Sequence, residues 1–524
     1  MIKLFRKLNG LRILALVLLA FIFITAVANG EILLDAYKTT AKKEGGFSEF
    51  IDTVETSYTS KIKNKTDYIN LNGLFARYSG RKIYNGVATL NNGMLTNDSI
   101  PEVDVELAVK SIGRLGKWIE QTDREFLFVQ EPFKMDKENE LLPVGADLPS
   151  NEISDSIVGG LRKQGIDVLD LREQLAKTPQ QIQKYFYKTD HHWNNLGAFT
   201  AYNLITDKIE ELFPDEKINS DLGSEKNWKK TKYEEWFLGT HGKRVGVNYG
   251  GIDDYILYEP KFETEISTYI SNHMAYYKGD FSKANIRKEY FDQPDYFNES
   301  PYCAYIGGDY PIVQHRNQNT GNNLKLLIIK DSFQLPVQSF LSTTFSQVEV
   351  LDPRYYNSSS IAEYIEVYDP DMVIFMVNPS VMYNEVYYKY GIKKAEKLRK
   401  AEKQIPIYEN KALKIKPDKS QYNYISTAKG LSAGTKYTFS LKNFEMTGAK
   451  KDGITVALFH PKNKKIYAST VIDKASLKEE KGFEWSFVTP RIKGDMQLII
   501  YSGTYKNSAN TGVVIEGATL HSYT

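Results

Sequence analysis

Residues 324–333 read Leu-Lys-Leu-Leu-Ile-Ile-Lys-Asp-Ser-Phe, and an apolar stretch with helical spacing follows over 335–345. The first six residues predict a short strand, because aliphatic runs of this length bounded by polar turns suit a sheet interior. A strand, a tight polar turn and a helix make one α/β unit. Ser332 sits in that turn, at the carboxyl end of the strand, where open α/β sheets place their sites. A serine so placed has two readings. It caps the helix, the commoner use of a serine in front of a helix, or its hydroxyl is a nucleophile exposed where backbone N–H groups converge on a developing oxyanion.

The same alternation extends in both directions. Downstream, Gln347–Leu351 and Met372–Val377 predict two further strands with helical stretches between them. Upstream, Val105, Leu107, Ala108, Ile112, Leu115, Trp118 and Ile119 recur at helical spacing, and Glu125–Gln130 (EFLFVQ) predicts a strand. Then come a helix over 153–163, a strand over 166–171, and a helix from about Asn195 through Leu204 and Ile209 that Phe213-Pro214 stops. Helices alternating with short apolar strands predict an α/β fold with a central parallel sheet. Between about 220 and 320 the periodicity fails and Tyr, Asn, Gly and Asp dominate, so this stretch reads as a large irregular insertion, either binding loops or an accessory β-hairpin layer. Residues 389–403 predict a charged helical connector with a solvated face. From about 405 to 524 the composition shifts to short alternating runs, such as 412–416, Lys436–Leu441, 454–459 and Met496–Tyr501, which predict a β-sandwich. Its place after an enzyme-like domain suggests a carbohydrate-binding module, with a spacer or oligomerisation domain as the alternative.

At 524 residues the chain exceeds the usual single-domain range, and its 67 basic and 65 acidic residues nearly cancel, so no global field points to nucleic acid. Residues 13–28 carry no charge and follow a start containing Lys3, Arg6, Lys7 and Arg12. That pattern predicts export, with everything after residue 30 outside the cell membrane. The segment, about 11–28, is at the short limit of a membrane span, and Ala26-Val27-Ala28 also resembles a signal-peptidase site; a retained anchor is favoured over secretion by cleavage after Ala28. The single cysteine, Cys303, excludes an intramolecular disulfide framework and any paired-cysteine metal or redox site. Aromatic residues are plentiful, with 36 Tyr and 26 Phe, and serve cores as well as sugar-stacking surfaces.

A serine hydroxyl needs an imidazole within hydrogen-bond reach and a carboxylate that fixes the tautomer of that imidazole. His192 and Asp190, in Lys188-Thr189-Asp190-His191-His192-Trp193 just before the helix at Asn195, supply both parts from one loop. His191 is then expected to point elsewhere. A metal site is the rival chemistry. It is rejected because adjacent histidines diverge and because His241, His273, His315, His460 and His521 form no ligand-spaced cluster.

The stretch from Tyr185-Phe186-Tyr187 through Asp190-His191-His192-Trp193 to Gly197-Ala198-Phe199-Thr200-Ala201-Tyr202 resembles the signature of the bacterial DHHW proteins, relatives of the alginate O-acetyltransferases within the SGNH-hydrolase-like superfamily. Further matching pieces follow in order: Tyr305 to Pro311, Leu326 to Phe333, Val350 to Tyr356, and Val377-Asn378-Pro379-Ser380. The similarity spans roughly residues 65 to 382. It implies a flavodoxin-like α/β/α sandwich, with Ser332 as nucleophile, His192 as general base and then acid, and Asp190 as its orienting partner. The Ser332 N–H is one oxyanion donor in this reading. Asn378 is a candidate side-chain donor, with turn formation as its alternative. Trp193 is a candidate for the substrate wall, with packing under the histidine loop as the preferred role. Lys330 departs from the broader pattern, which has glycine there, and the Asp–His spacing is two rather than three.

The resemblance carries a functional expectation: O-acetylation of an exported polysaccharide through an acetyl-serine. The acetyl group comes from a separate membrane-bound O-acyltransferase, the β-sandwich holds the glycan, and no soluble cofactor is required. Two rivals stand beside it, an acetylesterase using the same triad and a non-catalytic polysaccharide-binding surface protein.

Overall fold

The computed structural model describes residues 10–42, 46–138, 140–271, 273–448, 452–477 and 482–524. The chain divides into two compact units, one of Met1–Arg81 with Arg244–Tyr249 and one of Lys82–Lys243 with Gly250–Thr524.

An eight-stranded sheet organises the larger unit. Its strands in chain order are β1 (Glu125–Gln130), β2 (Asp167–Asp170), β3 (Ile266–Ile270), β4 (Ala275–Gly279), β5 (Ile312–Asn317), β6 (Lys325–Lys330), β7 (Gln347–Leu351) and β8 (Met372–Val377). Their spatial order is β2-β1-β8-β6-β7-β5-β3-β4. The first five run parallel, and β5, β3 and β4 continue the sheet antiparallel. Successive side chains of a strand face opposite sides, so a parallel strand covered on both faces is apolar almost throughout. On one face Phe126, Phe128, Leu327, Ile329 and Phe375 pack against helices α1 (Val105–Glu120) and α2 (Ser150–Lys163). On the other, Leu127, Val129, Leu326, Ile328 and Ile374 pack against α3 (Asn195–Leu212) and α4 (Gln334–Leu341). The result is the α/β/α sandwich that the resemblance implies, built on the central parallel sheet that the strand runs predict.

The stretch from 220 to 320 is more ordered than an irregular insertion. It holds a hairpin of Trp228–Phe237 with Asp253–Pro260 and supplies the three antiparallel strands. Its alternation is obscured because polar side chains point into the interior: Thr268 and Asn285 are fully buried and His315 nearly so, with Thr268 Oγ1 hydrogen-bonded to both Asn285 and His315.

The predicted C-terminal β-sandwich is present as two antiparallel sheets. One contains β9 (Gln404–Ile415), β11 (Lys436–Leu441), β12 (Asn443–Gly448), β15 (Phe483–Val488) and β17 (Thr511–Tyr523), and the other β10 (Tyr424–Leu431), β13 (Ile454–His460), β14 (Lys465–Ile472) and β16 (Met496–Tyr501). Their inner faces share a core that includes Phe439, Leu458, Leu498, Ile500 and Ile515. The sandwich docks on the antiparallel strands of the central sheet. Tyr269 Oη donates to Ser469 Oγ at 2.8 Å, Arg316 Nη1 to the Val471 carbonyl at 3.0 Å, and Tyr276 and Lys278 both reach the Asp473 carboxylate at 2.9 Å. Arg491 pairs with the buried Glu363 on α5 (Ile361–Tyr368) at 2.5 Å. The charged connector is helical only over Ile392–Arg399, and it buries Ile392, Ala395 and Leu398 rather than standing free.

The smaller unit contains helices over Gly10–Ala28, Gly30–Lys42, Phe47–Lys61 and Lys65–Tyr78. Asn29 joins the first two, donating to the Thr25 carbonyl and accepting from Lys63 N–H, each at 2.8 Å. Among the described residues no helix is long and apolar enough to cross a membrane. The basic start, Lys3, Arg6 and Lys7, lies outside the described residues.

Candidate active site

Strand β6 delivers Ser332 to the carboxyl edge of the sheet. The turn is built by the neighbouring aspartate: Asp331 Oδ1 accepts from Phe333 N–H at 2.9 Å and its Oδ2 from Asn378 N–H at 2.7 Å. Asp331 N–H in turn donates to Gln334 Oε1 at 3.1 Å. Ser332 therefore does not serve as the helix cap. Among the described residues its own N–H donates to no backbone carbonyl, and its hydroxyl meets an imidazole. Lys330 is buried with Nζ on Asp309 and, at 3.5 Å, on Asp352. Arg354 closes this four-charge network at 3.0 Å and 2.6 Å from the same two aspartates. Charges taken out of water persist only when paired in this way.

The loop before α3 carries the other half of the site. His192 Nε2 lies 2.7 Å from Ser332 Oγ, and His192 Nδ1 lies 2.5 Å from Asp190 Oδ1. An ionised carboxylate only accepts, so Nδ1 carries the proton and Nε2 is left to accept from the serine hydroxyl. Asp190 also accepts His192 N–H at 2.9 Å and Thr240 N–H at 2.5 Å. Burial alone raises its pKa; the charges of His191 and His192 and the hydrogen bonds from His192 and Thr240 outweigh that and hold the carboxyl well below the usual carboxylate range. The Thr240 contact demands a close backbone approach, for a Cβ on Gly239 would stand 2.2 Å from Asp190 Cβ.

Aromatic packing locks the two halves together. The Tyr302 ring stacks on His192 with centroids 3.9 Å apart and planes 14° apart. Tyr302 Oη and Trp193 Nε1 both donate to the Phe333 carbonyl at 3.0 Å, tying the histidine loop to the serine turn. Asp253 closes the loop from outside, accepting Lys188 N–H, Thr189 N–H and Thr189 Oγ1 at 2.7, 2.8 and 2.6 Å.

The five sequence candidates thus divide. Ser332, His192 and Asp190 meet as one hydrogen-bonded chain. Trp193 is fully buried, which corrects its candidacy for the substrate wall: its indole braces the serine turn. Asn378 caps the turn Pro379–Val381 through Oδ1, while its Nδ2 donates to the Pro132 carbonyl at 2.9 Å. The two histidines do not diverge as expected. Their ring centroids are 3.7 Å apart, and His191 Nδ1 is 3.5 Å from Asp190 Oδ1. Burial, and then the charge of His192, push the His191 pKa down from its ordinary value. Asp190, His191 and His192 do bring potential ligand atoms within 4.8 Å of one another. However, the Asp190 oxygens and both His192 nitrogens are already engaged by each other, by Ser332 and by Thr240, and Cys303 is the single thiol of the chain, so the geometry is that of a triad rather than an open ligand set.

Tyr302, Thr240 and Asp253 carry no sequence signal of their own, because each reaches the histidine loop from 50 to 110 positions away only once the sheet and hairpin are formed.

Comparison with solved structures returns Bacillus cereus PatB1 at 22% identity, covering 58% of this chain and 99% of that one with a TM-score of 0.49. It also returns a DHHW family protein from Eubacterium siraeum at 18% identity, covering 59% and 96% with a TM-score of 0.42, and Pseudomonas aeruginosa AlgX at 12% identity, covering 83% and 94% with a TM-score of 0.34. No curated protein sequence matches the chain. Two family models do match: the SGNH hydrolase-like domain of the acetyltransferase AlgX over residues 97–233, and the DHHW protein over residues 174–351. Residues 97–351 are accordingly similar to an SGNH hydrolase-like domain and to the DHHW proteins, the two matches overlapping over residues 174–233.

Proposed function

We propose that this protein transfers acetyl groups to hydroxyls of an exported polysaccharide through Ser332, His192 and Asp190. One observation carries the proposal: a continuous hydrogen-bonded chain from Asp190 through His192 to the part-exposed Ser332, with distances of 2.5 and 2.7 Å. In the first half-reaction Ser332 Oγ gives its proton to His192 Nε2 and bonds to the acetyl carbonyl carbon. The ester bond of the donor then breaks, and His192 returns the proton to the leaving alcohol. The Ser332 N–H is free to meet the developing oxyanion. In the second half a sugar hydroxyl repeats the sequence, giving its proton to His192 as it takes the acetyl group from serine.

The match to the SGNH hydrolase-like domain of an acetyltransferase supports this choice of chemistry. The polysaccharide class follows from the resemblance to alginate acetylation proteins, and a membrane-bound O-acyltransferase is the donor of the matching chemistry. The β-sandwich docked beside the catalytic domain is assigned to glycan holding. Export to the outer face of the bacterial membrane rests on residues 1–28, a basic start and an uncharged run. N-terminal sequencing of protein recovered from cells distinguishes a retained anchor from cleavage after Ala28.

Chromogenic acetyl ester given to the purified protein with and without acceptor oligosaccharides tests the reading. Acetylated sugar is expected in the mass spectrum, with acetate release suppressed by acceptor. Acetate release indifferent to acceptor, with no acetylated sugar, assigns an acetylesterase instead. If Ser332→Ala leaves both hydrolysis and cell-surface acetylation intact, the protein only binds polysaccharide.

A further inference from the structure

The segment that leaves β1, Glu131-Pro132-Phe133-Lys134, buries a lysine directly beneath the histidine loop. Lys134 is 1% exposed, and its Nζ donates to the Asp190 carbonyl at 2.7 Å and to the Lys188 carbonyl at 2.8 Å. The N–H groups of the same loop go the other way, to Asp253. An ammonium therefore gathers the carbonyls of Lys188 and Asp190 on one side while a carboxylate gathers the N–H groups of Lys188 and Thr189 on the other.

A second set of bonds connects that lysine to the serine. Pro132, two residues earlier, accepts from Asn378 Nδ2, and Asn378 N–H donates to Asp331 beside Ser332. β1, β8 and β6 are neighbours in the sheet, so the segments at their carboxyl ends form one bridge. It runs from the Ser332 turn through Asn378 and residues 132–134 to the Asp190 carbonyl. A buried ammonium is expensive unless its donors are used, and these are spent on the loop that fixes the triad.

We propose that the Lys134 ammonium is a positioning group for the triad, holding the Asp190–His192 loop at hydrogen-bond distance from Ser332 and releasing it when neutralised. The proposal rests on Ser332 acting as nucleophile but not on the identity of the acceptor. The charged and titratable groups facing Lys134 are Asp253 and Asp190, which favour its proton, and Lys188, which opposes it; burial outweighs them and brings the lysine from its ordinary value down to about 7. His191, on the same loop, also feels its charge. A neutral amine keeps two donors but loses the attraction to Asp253 and Asp190, so the grip weakens in the neutral to mildly alkaline range.

The test is the rate at which a sulfonyl fluoride labels Ser332, followed by peptide mass spectrometry from about pH 6 to about pH 9. Labelling reports serine activation without any acceptor. In the wild-type protein the rate is expected to decline above about pH 7, approaching a tenfold loss per pH unit. Lys134→Met is expected to label on the order of 100-fold more slowly, the scale of a misplaced catalytic geometry, with no alkaline decline. Lys134→Arg keeps its charge throughout this range and is expected to restore labelling and hold it to about pH 9. Melting curves check that each variant folds. If Lys134→Met does not, the low-field His192 Nδ1 proton resonance of the wild-type protein serves as the second readout, expected to weaken over the same pH range. Lys134→Met labelling within twofold of wild type, an alkaline decline that survives the substitution, or a resonance indifferent to pH overturns the role of Lys134 alone. A wild-type protein that takes no label at Ser332 overturns the triad and this proposal with it.

Discussion

Replacing Asp190 by Asn alters one atom and almost no volume, yet the hydrogen-bond pattern dictates a large effect. The carboxylate accepts from His192 Nδ1 and His192 N–H through Oδ1 and from Thr240 N–H through Oδ2. An amide has one acceptor end and one donor end. If its NH2 faces Thr240 N–H, two donors meet in a buried site, at a cost of about 1–3 kcal/mol. If its oxygen faces Thr240, the NH2 faces His192 Nδ1 and holds the imidazole in the Nε2–H tautomer, which cannot accept the Ser332 proton. Each arrangement strands one backbone N–H, that of Thr240 in the first and that of His192 in the second, but only the second gives the NH2 an acceptor, so it is the one expected. The expected cost is about 10⁴ in kcat, equivalent to about 5 kcal/mol of transition-state stabilisation, with the fold retained. Single-turnover acylation by a chromogenic acetyl ester measures it. Asp190→Asn acylating within tenfold of wild type refutes the assignment of Asp190 as the tautomer-fixing group. The same variant has a stability signature. A carboxyl whose folded pKa is depressed contributes stability that is present above its unfolded value, about 4, and lost as pH falls through the folded value, so the gap in melting temperature between wild type and Asp190→Asn narrows in acid.

Further outcomes follow from other contacts. His192→Ala is expected to abolish acyl transfer, whereas His191→Ala keeps most of it despite the neighbouring ring, because no bond in the Asp190–His192–Ser332 chain passes through His191; equal losses in both, measured by ester hydrolysis, contradict this. Glu349 is buried, accepts from Tyr364 Oη and from Gln314 Nε2 at 2.8 Å, and burial raises its pKa to about 7. A raised carboxyl costs stability as pH climbs from its unfolded value through the folded one, so Glu349→Gln is expected to gain on the order of 2–3 kcal/mol relative to wild type between about pH 5 and pH 8, read from denaturant midpoints. Arg491→Ala strands the buried Glu363 carboxylate at the sandwich contact; with the arginine itself 42% exposed, the expected loss is only about 1–2 kcal/mol, seen as a lower melting temperature that Glu363→Gln in the same chain partly restores.

Much of the sheet was legible because parallel strands buried on both faces leave unbroken aliphatic runs. Gln347–Leu351 and Met372–Val377 form strands with the boundaries their composition suggests, and 324–329 lies one residue from the observed β6. The antiparallel extension escaped the same reasoning, since Thr268, Gln314 and His315 point polar groups inward and pair with one another or with Glu349 and Asn285. The core of the site was legible for a related reason. Asp190 and His192 are neighbours in sequence, and Ser332 stands at a strand end. What surrounds them was not: Lys134, Thr240, Asp253 and Tyr302 are separated from their partners by 31 residues or more, and each is common enough elsewhere that only the folded chain distinguishes it. The mutual approach of His191 and His192 was also missed, because residues in a tight loop are not bound to the alternation that sends neighbours apart in a strand.

The most direct test of the central claim is to capture the acetyl group in transit. Protein mixed with a chromogenic acetyl ester, quenched in acid and digested, is expected to yield the Ser332 peptide carrying one acetyl group, which disappears on addition of acceptor oligosaccharide as acetylated sugar forms. Ser332→Ala gives neither product. Acetylated sugar appearing at the wild-type rate from Ser332→Ala, or acetyl found on another side chain and chased from there, contradicts a serine-centred transfer.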